Sequence, residues 1–381
     1  MPSRLSRPRS VTARALALAV PAAVAAAIAI PSGPALASGP GNEFHQTNLI
    51  SDLSNQGAQV VDRNLQNSWG LAFSPTSPLW VSDNNSGVAT LYSIGVGATT
   101  AKKVALTVTL PGGRTSTNDG SSPTGQVFNP TSGFVVTTAA GSGPADFIFA
   151  AEAGQISAWN PVADPVASGA STATVEFSSP TAVYKGLAIA TTDDGTFLYA
   201  SNFHDGTVDV FNSKFQLVHL AGDFTDPDLP PGYAPFGIQN INGLIYVSYA
   251  LQNAAKHDDV AGTGHGFIDI YTSNGFLVKR LVSHVDLNSP WGLAEAPDGF
   301  GPFGGDLLVG NFGNGLIHAF GLFSGVPRGA LLNEQHQPIQ IDDLWALKFG
   351  TATTGGTGTL LFSAGINDQN DGLVGAINPV P

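Results

Sequence analysis

Residues 67–84 read NSWGLAFSPTSPLWVSDN. An aromatic–small–apolar phrase, Trp69-Gly70-Leu71-Ala72, is followed after a Ser/Pro-rich turn by a β-rich apolar run, Leu79-Trp80-Val81-Ser82, ending on Asp83. Short apolar runs bounded by turn residues predict buried strands. The first phrase returns as Lys185-Gly186-Leu187-Ala188, Phe236-Gly237-Ile238, Trp291-Gly292-Leu293-Ala294 and Trp345-Ala346-Leu347, with a looser copy at Thr124-Gly125-Gln126-Val127. Its small residue stands at 70, 125, 186, 237, 292 and 346, so six near-equal units follow one another.

The second phrase also recurs, as Ile148-Phe149-Ala150-Ala151, Leu198-Tyr199-Ala200-Ser201, Ile245-Tyr246-Val247-Ser248, Leu307-Leu308-Val309-Gly310 and Leu360-Leu361-Phe362-Ser363. A third strand follows a glycine-containing turn in each unit, and a fourth is visible in most, as in Val104–Leu110. Repetition at this period, with about four strands per unit, predicts an all-β, six-bladed β-propeller with blades starting near 69, 124, 185, 236, 291 and 345. After Asn378 too little chain remains for a fourth strand, whereas Phe44–Leu53 is a strand candidate without a unit. A ring must close, so the N-terminal strand is expected to complete the last blade.

Composition agrees. Glycine (46) and proline (26) are abundant and charged residues make up only 11% of the 381 residues, too few for the outer faces of a helical bundle. Cysteine is absent, which removes thiol catalysis, disulfides and cysteine-based zinc sites. Arg4, Arg7, Arg9 and Arg14, the apolar run Ala15–Ile30 and Ala35-Leu36-Ala37 fit a secretory signal over 1–37, leaving 38–381 as a single propeller domain that is secreted and extracellular, with no membrane span. Losing those four arginines would leave 11 basic against 28 acidic residues, a net charge of −17. Such a surface disfavours nucleic acid and anionic lipid as partners.

Equivalent positions of the repeat form rings around the channel axis. The position before the small residue holds Trp69, Thr124, Lys185, Phe236, Trp291 and Trp345. These rings read either as a ligand-stacking platform at the channel mouth or as packing between blades. The position after the second phrase holds Asp83, Glu152, Asn202, Tyr249, Asn311 and Ala364. Asp83, Glu152, Asn202 and Asn311 are oxygen donors of the kind Ca²⁺ takes, or else turn formers. The longest departure from the repeat is the loop 249–266, in which His257, Asp258 and Asp259 stand together as candidate ligand-binding, metal-ligating or general-base groups.

The phrase pair resembles NHL-type repeats, and the whole chain over about 44–380 resembles a family of secreted bacterial propellers of unestablished activity. It is more distantly similar to the gluconolactonase-like calcium-dependent hydrolases. That second likeness implies a Ca²⁺ cofactor held in the channel, with Asn or Asp directly before the inner-strand glycine. Here Trp69, Thr124, Lys185, Phe236 and Trp291 occupy that place. The reading is therefore a monomeric binding or scaffold module for an extracellular glycan, peptide or small molecule, with a calcium-dependent hydrolase of the lactonase or phosphotriesterase type as the alternative.

Overall fold

The computed structural model describes residues 41, 43–112 and 121–380, and the signal-like segment 1–37 lies outside them. Six sheets, each with an antiparallel four-stranded body, form the blades of a propeller. The inner strands are Ser68–Ala72, Pro123–Phe128, Tyr184–Thr192, Tyr233–Ile241, Pro290–Glu295 and Leu344–Phe349, each the first strand of its unit. Each inner strand neighbours the next, and the sixth returns to the first, so the ring is closed.

The small residue of the repeated phrase has a steric cause. At Gly125 an added Cβ would overlap the backbone of Gly186 and Leu187 on the next inner strand, and at Gly237 it would overlap Trp291. Inner strands converge on the axis too closely for side chains at this level. The serine of the second phrase has a polar cause. Ser201 Oγ donates to Phe236 O at 2.8 Å, Ser248 Oγ to Pro290 O at 2.6 Å, and Ser363 Oγ to Trp69 O, each reaching the inner strand of the following blade. These struts satisfy carbonyls that would otherwise be buried without a partner.

The last blade closes as expected. Phe44–Ser51 pairs antiparallel with Leu373–Pro379, from Phe44 opposite Pro379 to Ser51 opposite Leu373, with one bulge between Asn48 and Ile50. Phe44, Leu49 and Ile50 are buried, and Phe44 lies against Phe300 and Phe303 of the neighbouring blade.

Two additions break the repeat. The longest interval, 61 residues between Gly125 and Gly186, contains a small hairpin, Val135–Thr137 with Ser142–Pro144, inserted between the first two strands of blade two. Ala170–Thr172, also from blade two, pairs parallel with Ala101–Thr109 as a fifth strand of blade one. Among the described residues no helix is long and apolar enough to cross a membrane.

Candidate functional site

Because strands alternate in direction, loops entering the inner strands and loops joining second to third strands meet on one face, here called the front. The aromatic residues of the repeat stand where the inner strands leave that face. Trp69 and Trp345 stack with centroids 3.5 Å apart, Trp291 meets both edge-on, and Phe236 lies 5.9 Å from Trp345. These residues come from four blades, so the rings meet across the axis and fill it. Trp69, Phe236 and Trp345 are buried and offer no open face to solvent; Trp291 also borders a cavity further along the channel. Asn67 Oδ1 accepts both the Trp69 and Trp345 indole N–H groups, at 2.9 and 3.1 Å, which fixes the orientation of the stacked pair.

Lys185 occupies the same repeat position but turns its charge toward the front. Its side chain is 3% exposed, its ammonium pairs with Glu152 and lies 3.6 Å from Asp258, and it sits 5.2 Å from the Trp69 ring centroid. A cation over an aromatic face gains attraction when desolvated. Glu152 also accepts from Asn84 Nδ2 at 3.1 Å. Asp258 in turn hydrogen-bonds His257 Nδ1 through Oδ1 at 2.7 Å. Blades one to four thus each contribute to one charged cluster.

The strand Leu244–Leu251 takes up the first three of the positions 249–266, and the remaining loop, 252–266, is folded so as to deliver His257 and Asp258. Asn253 N donates to Asp258 O, Val260 N to Leu251 O, and Gly262 N to Asn288 Oδ1 of the next blade. His257, Asp258 and Asp259 differ in what surrounds them. The hydrogen bond from His257 holds Asp258 down at about 2, despite partial burial, and the same bond raises His257. Burial pushes Asp259 up, against the pull of Ser289 and Lys185, and its Oδ2 is buried with no hydrogen-bond partner among the described residues.

The four oxygen donors proposed from the repeat are spread among separate duties. Asp83 is fully buried, with Oδ2 accepting from Thr90 Oγ1 at 2.6 Å, and burial pushes its carboxyl well above the usual range. Asn202 Nδ2 donates to Asp205 and Asp209, and Asn311 Nδ2 to Asp286 O. Only Glu152 of the four joins the front cluster. Donor atoms of Glu152, His257 and Asp258 do lie within 4.8 Å of one another. Ca²⁺ favours roughly six to eight oxygen ligands, so two carboxylates and an imidazole do not fit it. The Lys185 ammonium already supplies the cation.

Among the carboxyls away from this cluster that burial raises, Asp52 and Asp343 reach about 6 and Asp269 about 7. The native state therefore holds protons that the unfolded chain, titrating near 3.8, has released. Stability contributed by this protonation is present below about pH 4 and is lost as the pH rises toward 7. Asp258 acts oppositely, and its contribution disappears as the pH falls from about 4 to about 2. The melting temperature is expected to peak near pH 4–5 and to fall by several degrees at neutral pH. A flat calorimetric profile from pH 5 to 7.5 would contradict this.

Sequence reasoning found Lys185, Glu152, His257 and Asp258 on separate arguments but had no signal that they meet. Asn67 and Asn84 were missed as polar partners, although both flank the repeated phrases.

No family model matches the chain. Among solved structures, the quinone-bound aldose sugar dehydrogenase of Streptomyces coelicolor is 14% identical, with 90% of this chain and 100% of that chain covered and a TM-score of 0.48. The periplasmic gluconolactonase of Pseudomonas aeruginosa is 14% identical, with 82% and 86% covered and a TM-score of 0.44. At these values neither likeness bears on chemistry. Two uncharacterised proteins of Acanthamoeba polyphaga mimivirus align over 340 residues each. Protein R648 is 31% identical, with 86% of this chain and 78% of the relative covered; protein L690 is 30% identical, with 87% and 85% covered. With this identity over most of both partners, the propeller described here belongs to the family of these mimivirus proteins.

Proposed function

We propose that the protein is a binding module whose front channel mouth takes a polar ligand, such as a glycan or a peptide end, on the Glu152–Lys185–His257–Asp258 cluster. The observation that supports this is the cost of the cluster. Lys185 and Glu152 are withdrawn from water, with side chains 3% and 14% exposed, where an ion pair contributes little net stability and an apolar pair would serve the fold as well. Charged groups gathered at such expense beside exposed partners are what a polar ligand site requires. His257 and Asp258 stay open to solvent, with side chains 45% and 61% exposed. They offer a donor and an acceptor to a ligand's hydroxyl or amide groups, while the aromatic plug beneath prevents passage deeper into the channel.

The test compares the full chain with the double variant His257→Ala, Asp258→Ala on glycan and peptide arrays, followed by titration calorimetry of any hit. Both side chains are exposed, so the variant should fold. Loss of two hydrogen bonds, at least one to a charged group, should weaken binding by ~10-fold or more. Undiminished binding by the variant would place the ligand elsewhere. In the same experiments Ca²⁺ is expected to leave the melting temperature of the full chain unchanged relative to EDTA. An upward shift would instead favour the calcium-dependent hydrolase.

A further inference from the structure

Behind the aromatic plug the channel opens toward the opposite, rear face as a cavity of about 280 Å³. It is lined by the later residues of the inner strands: Leu71 and Phe73, Val127, Ile189, Ile238 and Leu293 supply apolar wall. Four polar side chains interrupt that wall, Gln126, Gln239, Asn240 and Lys348, and Lys348 is the one charged residue among those lining the cavity. In a chain with 28 acidic residues and a net charge of −13, a channel segment without a carboxylate is a marked exclusion.

Lys348 has no carboxylate or hydrogen-bond partner among the described residues; its ammonium lies 5.4 Å from the Phe73 ring centroid. The other long amines that enter the structure are paired: Lys185 with Glu152, Lys103 with Asp62, and Lys279 with Phe323 O. Burial holds the Lys348 ammonium below its usual range, as expected for a cation that nothing compensates. A second polar atom is unsatisfied within the same wall, beneath the cavity surface. Gln126 is 6% exposed and spends its Nε2 on Gly70 O and Trp80 O, at 2.6 and 2.9 Å, which fixes the amide and leaves Oε1 buried without a donor. Asn240, by contrast, is used structurally: Nδ2 donates to Ile189 O and Oδ1 accepts from Gly243 N.

We propose that the rear half of the channel is a second binding site, for a small carboxylate that also carries a hydrogen-bond donor. The carboxylate pairs with Lys348, the donor meets the amide of Gln239, which is partly exposed in the same wall, and an apolar body fills the space between them. One ammonium matches a monoanion better than a phosphate dianion. The apolar walls strengthen the pairing, since charges interact more strongly away from water. This site is independent of the front cluster, from which the stacked tryptophans separate it.

The experiment uses the full chain and mandelate, which has a carboxylate, a hydroxyl and an apolar ring. Titration calorimetry should show binding of mandelate, weaker binding of phenylacetate, which lacks the hydroxyl, and none of methyl mandelate, which lacks the charge. Lys348→Met should lose mandelate by ~10-fold or more, as expected for removal of a charge-assisted hydrogen bond. Wild-type protein gives a second readout that does not depend on the variant's folding: mandelate should protect Lys348, but not exposed Lys102, from reductive methylation detected by mass spectrometry. No mandelate binding, or equal binding by Lys348→Met, or methylation of Lys348 unaffected by mandelate, would overturn the proposal.

Discussion

Deletion of residues 38–53 is expected to lower the melting temperature by ~10 °C or more, or to abolish a cooperative transition altogether. The segment carries the outer strand that closes blade six, with Phe44 and Leu49 1% and 0% exposed and Ile50 0% exposed. Burial of three such side chains contributes about 5–9 kcal/mol. That is comparable with the whole net stability of a typical domain, about 5–15 kcal/mol. The loss also uncovers the edge of Leu373–Pro379, which then becomes free to pair with other chains. A synthetic peptide of residues 43–53 should partly restore the transition by adding the strand in trans. A melting temperature unchanged by the deletion would refute the role assigned to this strand.

Arg280→Met is expected to cost about 3–5 kcal/mol, measured by urea unfolding. Arg280 Nε donates to Asp269 Oδ1 at 2.9 Å, and its guanidinium also pairs with Asp226, whose side chain, like that of Asp269, is almost completely buried. Phe267 lies under the guanidinium at 4.7 Å. Burial pushes Asp269 up to about 7 even with the arginine beside it. Without Arg280 the two carboxyls face each other in a dry environment, and the native state can persist only by protonating them. The deficit should therefore shrink toward pH 4, and combination with Asp226→Asn and Asp269→Asn should recover much of it. A penalty below about 1 kcal/mol would show that the trio is solvated.

The fold was legible because its two repeated phrases are steric and polar necessities of a converging ring. Gly125 and Gly237 mark where inner strands touch, and Ser201, Ser248 and Ser363 mark where one blade reaches the next. The added strand Ala170–Thr172 was not legible, since it pairs with a different blade through a contact no local pattern encodes. The site was legible only in part. Lys185 and Trp69 hold the same place in the repeat, yet one side chain turns to the front cluster and the other into the plug. That choice depends on Glu152 and Asn67, which are distant in sequence from Lys185 and Trp345 respectively. Lys348 had no signal at all, because an ammonium without a carboxylate partner among the described residues is visible only in the fold.

The pairing of Phe44 with Pro379 has a mechanical consequence. Phe44 and Pro379, the first residue of one strand and the last of the other, form the end rung of this ladder, at one end of blade six. Tension drawn through both would peel the ladder apart one rung at a time, and would not shear all its hydrogen bonds at once. A ring closed by its own two ends is weakest along the line that joins them, where it opens like a zipper.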